Sequence, residues 1–173
     1  MSHRLSSLVL LVGLFAAGCG DDSPTTPTPA PAPKFTVALS PANEVPAISN
    51  ADQTGSGTAT LTLNATKDAA GNITAATMDA TVSVTGFPAG TALTASHIHP
   101  GAAGANGGIL VSLGLAAGEV TFATGSGSFT KQGITVPADQ ANSIVANPAG
   151  FYLNIHTAAN PGGVARGQLT RTQ

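Results

Sequence analysis

Charged and aromatic residues are scarce in this chain. Of its 173 residues only 8% are charged and 4% are aromatic, and tryptophan is absent. Soluble domains usually carry about 25% charged residues, so threonine, serine, asparagine and glycine must cover the surface here. The formal net charge is −2, and lysine and arginine never form a run. Phosphate binding requires clustered basic residues, so the composition excludes nucleic acid as a partner.

Cysteine is almost as scarce, since Cys19 is the only one and an intramolecular disulfide is therefore excluded. It follows an apolar run at 5–14 that is shorter than the ~20 residues of a membrane span but has the length of a secretory signal. Small residues at 16–18 directly precede Cys19, as in a bacterial lipobox. The pattern predicts a lipoprotein signal peptide over residues 1–18 and lipidation of Cys19. An ordinary signal peptide with an incidental cysteine is the alternative.

The segment after the signal peptide is rich in proline and threonine. Residues 19–34 contain proline at alternating positions, and proline disfavours helix and donates no ladder hydrogen bonds. We therefore expect a lipidated, extended tether that holds the following domain away from the membrane. Gly20 rather than aspartate follows the cysteine, which is typical of an outer-membrane destination. The expected location is the bacterial outer membrane or cell surface, facing the periplasm or the exterior.

The remaining residues, 35–173, have the pattern of a single β domain. Residues 56–64 alternate between small or aliphatic and hydroxylated side chains, which is typical of a strand with one buried face. About eight such short runs are separated by turn-forming residues, and one short helix is expected near 138–146, ended by Asn147 and Pro148. We predict an all-β, antiparallel Greek-key sandwich or flattened barrel, and a monomeric domain.

Three histidines carry the domain's most distinctive chemistry: His97, His99 and His156. Alternate residues of a strand share a face, so His97 and His99 point the same way, and Tyr152, Asn154 and His156 share a face on a later strand. If the two strands are neighbours, the three imidazoles converge. Imidazole suits copper and zinc, and three protein ligands leave one position open. The alternative is structural, because strand histidines also donate hydrogen bonds to adjacent loop carbonyls.

Two charged residues stand in otherwise uncharged surroundings, Glu44 and Arg166. An unpaired buried charge is costly, so we expect them to form a structural ion pair between the first loop and the last strand. No nucleophile motif or close carboxylate pair accompanies the histidines, so no catalytic residues are assigned.

Four motifs in a fixed order resemble the CHRD domain, which occurs in chordin and in bacterial exported proteins. The motifs are Glu44-Val45-Pro46, His97-Ile98-His99, the run from Tyr152 to Thr157, and Asn160-Pro161-Gly162-Gly163 leading to Arg166-Gly167-Gln168. The resemblance implies an extracellular all-β domain and no defined activity. One difference is that Val164-Ala165 precedes Arg166, where the family usually has an acidic residue. This chain lacks that acidic residue, so any role it has in the family cannot be transferred here.

Two functions follow from these observations. The first is a lipid-anchored, non-enzymatic binding or structural module of the cell envelope, attached to the membrane through Cys19, with a protein or glycan partner that the sequence does not specify. The second is an envelope protein that binds copper or zinc through His97, His99 and His156, with redox chemistry if the metal is copper.

Overall fold

Ten strands in two antiparallel sheets form the framework of the computed structural model, which describes residues 31–173. The strands are β1 (Lys34–Leu39), β2 (Ser56–Lys67), β3 (Ile73–Thr85), β4 (Thr91–Pro100), β5 (Val111–Ser112), β6 (Thr121–Phe122), β7 (Gly127–Val136), β8 (Phe151–Thr157), β9 (Ala165–Gln168) and β10 (Thr170–Arg171). The first sheet has the order β10-β1-β2-β3-β7. The second has the order β5-β4-β8-β9, and β6 pairs with β4.

The alternation of apolar and polar residues along the strands determines which faces of the sheets are buried. On β2, Ala59, Leu61 and Leu63 are buried, as predicted, whereas the intervening threonines are exposed or half-buried. From the second sheet, Ile98 and Leu153 belong to the same hydrophobic core. Burying a side chain of this size contributes about 1.5–3 kcal/mol, so the core between the two sheets is the main source of stability.

The predicted all-β antiparallel sandwich is confirmed, with ten strands in the described region rather than about eight. Short elements such as the two-residue β10 give no sequence pattern and raise the count. The predicted helix is α1 (Ala138–Ala146). It is fixed to β3 by Asn142, whose side chain accepts from the backbone N–H of Ile73 and donates to its carbonyl.

Within residues 31–173 there is no helix of sufficient length and apolarity to cross a membrane. The predicted signal peptide, Cys19 and most of the predicted tether lie outside the described residues.

The outer face of the second sheet carries most of the unusual side chains. Register places Ala95 opposite His156, His97 opposite Asn154, and His99 opposite Tyr152. Asn154 in turn lies opposite Arg166 on β9. Three connecting segments hydrogen-bond to this face, at 41–50, 101–110 and 158–163. The outer face is therefore covered by loops, and most of its polar residues are buried.

Candidate metal centre

The three histidines of the domain converge on the outer face of the second sheet. One ring nitrogen from each of His97, His99 and His156 lies within 4.8 Å of the others. Nδ1 of His97 and Nε2 of His156 are 3.2 Å apart. Tetrahedral zinc with Zn–N bonds of 2.0–2.1 Å requires nitrogens about 3.4 Å from one another, so this pair already has the spacing of two ligands of one ion. The sequence predicted this convergence on the condition that the two strands are neighbours, and the pairing of β4 with β8 meets that condition.

His99 is fixed by the loop that follows it. Its Nδ1 lies 3.1 Å from the carbonyl oxygen of Gly107 and 3.0 Å from that of Gly108. Carbonyl oxygens only accept, so Nδ1 carries the proton and Nε2 has the lone pair. The side chain is only 6% exposed, and Nε2 has no hydrogen-bond partner in the described part of the chain. The ring stacks on Tyr152 with centroids 5.0 Å apart.

His156 is fixed in the same way by the turn that follows it. Its Nδ1 lies 3.0 Å from the carbonyl oxygen of Pro161, so it donates there and leaves the lone pair on Nε2. The turn is itself held by Asn160, whose side chain donates to Oδ2 of Asp52 at 2.5 Å. Asp52 is buried, and sequence reasoning missed its role because it lies in a loop without periodicity.

These bonds show that backbone hydrogen bonding and metal binding do not compete at this site. The loop carbonyls engage Nδ1 of His99 and His156, and the carbonyl acceptors set the tautomer that presents Nε2 as a ligand. Metal-binding histidines commonly donate their second ring nitrogen to a carbonyl in this manner. The third histidine, His97, is half-buried, and its Nδ1 is the ring nitrogen that lies next to Nε2 of His156.

Burial also favours the uncharged imidazoles that a metal requires. Desolvation, followed by the charges of His156 and His99, lowers the pKa of His97 to about 4. Desolvation also lowers the pKa of His156, partly opposed by its hydrogen bond to Pro161. Metal ligands must be uncharged imidazoles, and His97 and His156 are uncharged at neutral pH.

Glu44 and Arg166 lie close together on the same covered face. Nε of Arg166 is 3.9 Å from Oε2 of Glu44, and the two side chains are 3% and 6% exposed. Burial raises the pKa of Glu44 to about 7, although the Arg166 charge and the Asn154 side chain lower it in part. The distance is longer than that of a hydrogen bond, so the contact between the two charges is electrostatic.

The hydrogen bonds of Arg166 go to the loops instead. Its Nε donates to the carbonyl of Asn43 at 2.6 Å, and Nη1 donates to the carbonyl of Ala105 at 3.2 Å and to Oδ1 of Asn106 at 2.8 Å. The guanidinium also lies 4.7 Å from the ring centroid of Tyr152. Arg166 therefore joins the segments at 41–50 and 101–110, two of the three that cover this face, a role that the sequence did not reveal.

A two-sheet antiparallel sandwich with three histidines on a loop-covered outer face defines the class of this domain as an all-β sandwich with a candidate metal centre. Comparison with protein families matches residues 35–169 to the CHRD domain. The chain belongs to this family, as the resemblance of its motifs predicted. Comparison with curated proteins and with solved structures found no match.

Proposed function

We propose that this protein is a lipid-anchored CHRD-domain protein of the bacterial envelope whose domain binds copper or zinc through His97, His99 and His156. The domain acts as a binding module and not as an enzyme. The observation that carries the proposal is the paired arrangement of His99 and His156, each with Nδ1 on a loop carbonyl and Nε2 directed away from it.

The burial of these nitrogens supports a metal ligand. A buried polar atom without a partner costs about 1–3 kcal/mol, and Nε2 of His99 is such an atom in the described region. Coordination would satisfy it. Three imidazoles are the ligand set of many zinc and copper sites, and a fourth position stays open for water or another donor.

Metal binding is tested on protein purified without a polyhistidine tag and stripped with EDTA. A ligand present at 100 times its Kd stabilises the fold by about 2.7 kcal/mol, which for a domain of this size raises Tm by roughly 5–10 °C. We expect this rise with copper or zinc, a stoichiometry of one metal per chain, and loss of both in His97→Gln. Exposed Glu119→Gln is the matched control and keeps both. Absence of stoichiometric metal in the unmodified protein would refute the proposal.

The choice between the two metals has its own readout. Copper loading gives an electron paramagnetic resonance spectrum with nitrogen hyperfine splitting from imidazole, and ascorbate bleaches it if the site cycles between oxidation states. Zinc gives neither, so a preference for zinc in competition would remove the redox function and leave the binding function intact.

Lipid anchoring is supported by the sequence around Cys19, namely the apolar run, the small residues before the cysteine and the proline-rich segment after it. In a bacterial host, Cys19→Ser is expected to prevent incorporation of labelled palmitate and to move the protein from the membrane to the soluble fraction. Ser23→Ala, in the same segment, is the control. Equal labelling of the Cys19→Ser variant would contradict anchoring at this residue.

A further inference from the structure

A buried carboxylate, that of Asp52, contacts the turn that orients His156. Asp52 is 7% exposed, and within residues 31–173 it forms no ion pair with a lysine, arginine or histidine. A buried charge without a cation depends on the hydrogen bonds that it accepts. Asp52 accepts one from the side chain of Asn160, whose Nδ2 lies 2.5 Å from Oδ2 across 108 residues of sequence. The carboxylate is therefore directed at the turn and not at a cation.

Asn50, Asp52 and Asn160 form a closed ring of hydrogen bonds. Nδ2 of Asn50 donates to Oδ1 of Asn160 at 2.9 Å, and the backbone N–H of Asp52 donates to Oδ1 of Asn50 at 3.0 Å. An ionised carboxylate only accepts, so Asp52 permits one orientation of the Asn160 amide, and that amide in turn permits one orientation of Asn50. The charged residue thus determines the direction of every bond in the ring.

The ring supports the carbonyl that faces His156. Pro161 accepts from Nδ1 of His156 at 3.0 Å, but as a proline it has no backbone N–H with which to hold its own position. Its position depends on Asn160, the residue before it. In the described part of the chain, both hydrogen bonds that join the turn at 158–163 to the segment at 41–54 end on the Asn160 side chain.

A cavity of about 470 Å³ receives part of its wall from this segment and part from the turn. Glu44 and Ile48 line it from the segment, Pro161 lines it from the turn, and His99 also borders it. Where the cavity lies between the two loops, they make no packing contacts with one another. The link between segment and turn therefore depends on the hydrogen bonds of Asn160.

We propose that Asp52 is a positioning residue of the histidine site. Through Asn160 it holds the Pro161 carbonyl against Nδ1 of His156, which keeps the proton on Nδ1 and the lone pair on Nε2. The inference rests on the proposed function, in which Nε2 of His156 binds copper or zinc. Coupling between two events is reciprocal, so a metal on His156 should in turn hold the segment at 41–54 more firmly.

The affinity test measures zinc binding by untagged protein in competition with a chelating dye. Outer partners of metal-binding histidines typically change affinity about 10–100-fold when they are mutated, so Asp52→Ala should bind zinc about tenfold or more weakly. Asp52→Asn should lose less, because its amide oxygen can still accept from Asn160. Asn142→Ala is the matched control: it breaks hydrogen bonds of the same kind between α1 and β3 of the first sheet, and its zinc affinity should be unchanged. Equal affinity of Asp52→Ala and the unmodified protein would overturn the inference.

The tautomer of His156 gives a readout that needs no metal and that a general loss of stability would not move. Two-bond nitrogen–proton spectra in EDTA should show the proton on Nδ1 in the unmodified protein and in Asn142→Ala, and a mixture of tautomers in Asp52→Ala. An unchanged tautomer in Asp52→Ala would overturn the inference. A changed tautomer in a protein that binds no zinc would refute the metal site and uphold the positioning of His156 by Asp52.

Asn50→Ala covers the case in which Asp52→Ala does not fold. Asn50 is exposed, so its removal opens the ring from the solvent side and leaves the Asp52–Asn160 bond in place. We expect a smaller fall in zinc affinity than in Asp52→Ala, and faster amide hydrogen exchange in the segment at 41–54, which zinc slows in the unmodified protein. Zinc affinity and exchange rates equal to those of the unmodified protein would overturn the inference.

Discussion

Nδ1 of His97 lies 3.2 Å from Nε2 of His156, across 59 residues of sequence. Because His156 donates through Nδ1 to Pro161, its Nε2 is an acceptor, and His97 must therefore donate through Nδ1. The metal-free site thus contains a hydrogen bond between two of the nitrogens that a metal would engage. A metal that binds Nδ1 of His97 must therefore displace the proton on that nitrogen.

This requirement predicts a change of tautomer at His97. Without metal, Nδ1 of His97 carries the proton. With copper or zinc on Nδ1, the proton must move to Nε2, while His99 and His156 keep their protons on Nδ1. Two-bond nitrogen–proton correlation spectra of the metal-free and zinc-loaded protein distinguish the tautomers. An unchanged pattern for His97 in the loaded protein would contradict its role as a ligand through Nδ1.

The three histidines should differ in their effect on stability without metal. His99→Gln removes the imidazole that donates to Gly107 and Gly108 and the stacking of this buried ring on Tyr152, which should cost about 1–3 kcal/mol. His97 is half-buried and makes no backbone hydrogen bond through its side chain in the described region, so His97→Gln should cost less than about 1 kcal/mol. Urea denaturation in EDTA measures both. Equal losses would mean that the loop bonds of His99 contribute little.

Two adjacent glycines provide a matched test of the loop that orients His99. A β-carbon at Gly107 would collide with the backbone carbonyl oxygen of Pro100, whereas one at Gly108 would meet nothing within 4 Å. Gly107→Ala should therefore displace the loop, lower stability by about 1–3 kcal/mol and weaken metal binding. Gly108→Ala should change stability by less than about 1 kcal/mol. Denaturation and metal titration of the pair check this, and indistinguishable variants would contradict it.

Glu44 predicts a dependence of stability on pH. Its pKa in the folded protein is about 7 against a reference value of 4.5, so the folded state binds the proton more tightly than the unfolded state. Protonated Glu44 thus stabilises the fold fully at low pH, and this contribution, on the order of 3 kcal/mol, is lost as pH rises from 4.5 through 7. Arg166 is the charged group beside it, and His99 borders the same cavity.

The measurement is the difference in unfolding free energy between the unmodified protein and Glu44→Gln, taken in EDTA over that pH range. Glutamine does not titrate, so the difference should fall steadily with rising pH and level off at higher pH. Glu119→Gln, whose carboxylate is exposed, should give a difference without this slope. Parallel curves for the protein and Glu44→Gln would show that folding does not raise the pKa of Glu44.

The strands and the histidine face follow directly from local sequence patterns. Alternation on β2 predicts that Ala59, Leu61 and Leu63 are buried, because side chains of a strand alternate strictly between its faces. The same rule places His97 and His99 on one face. The buried face of β2 and the shared face of His97 and His99 were predictable because each depends on residues within a few positions of one another.

The register between β4 and β8 was not predictable from local sequence patterns. An irregularity between Leu93 and Ala95 on β4 shifts the pairing with β8 and sets Ala95 opposite His156. A slip of one residue turns every side chain to the opposite face, and no local pattern records such a bulge. The convergence of the histidines therefore depended on a strand pairing that had to be assumed.

The contacts made by the loops were the part of the structure least predictable from the sequence. Glu44 and Arg166 were expected to pair, yet the hydrogen bonds of Arg166 go to Asn43, Ala105 and Asn106. Loops have no periodicity, so nothing in their sequence indicates which distant side chain will satisfy their carbonyls. The cavity beside Glu44, which these loops help to form, could be found only from the structure.

Strand β1 has a consequence for how the domain is presented. It enters the sheet at Lys34 and ends at Leu39, after which Ser40 pairs with Arg166 and the chain turns into the segment that carries Glu44. Six extended residues span roughly 20 Å. A chain tethered at its amino-terminal end would thus be held at one end of β1, while the segment at the cavity begins at the other. An attachment on the amino-terminal side of the domain would therefore be separated from the Glu44 segment by the length of this strand.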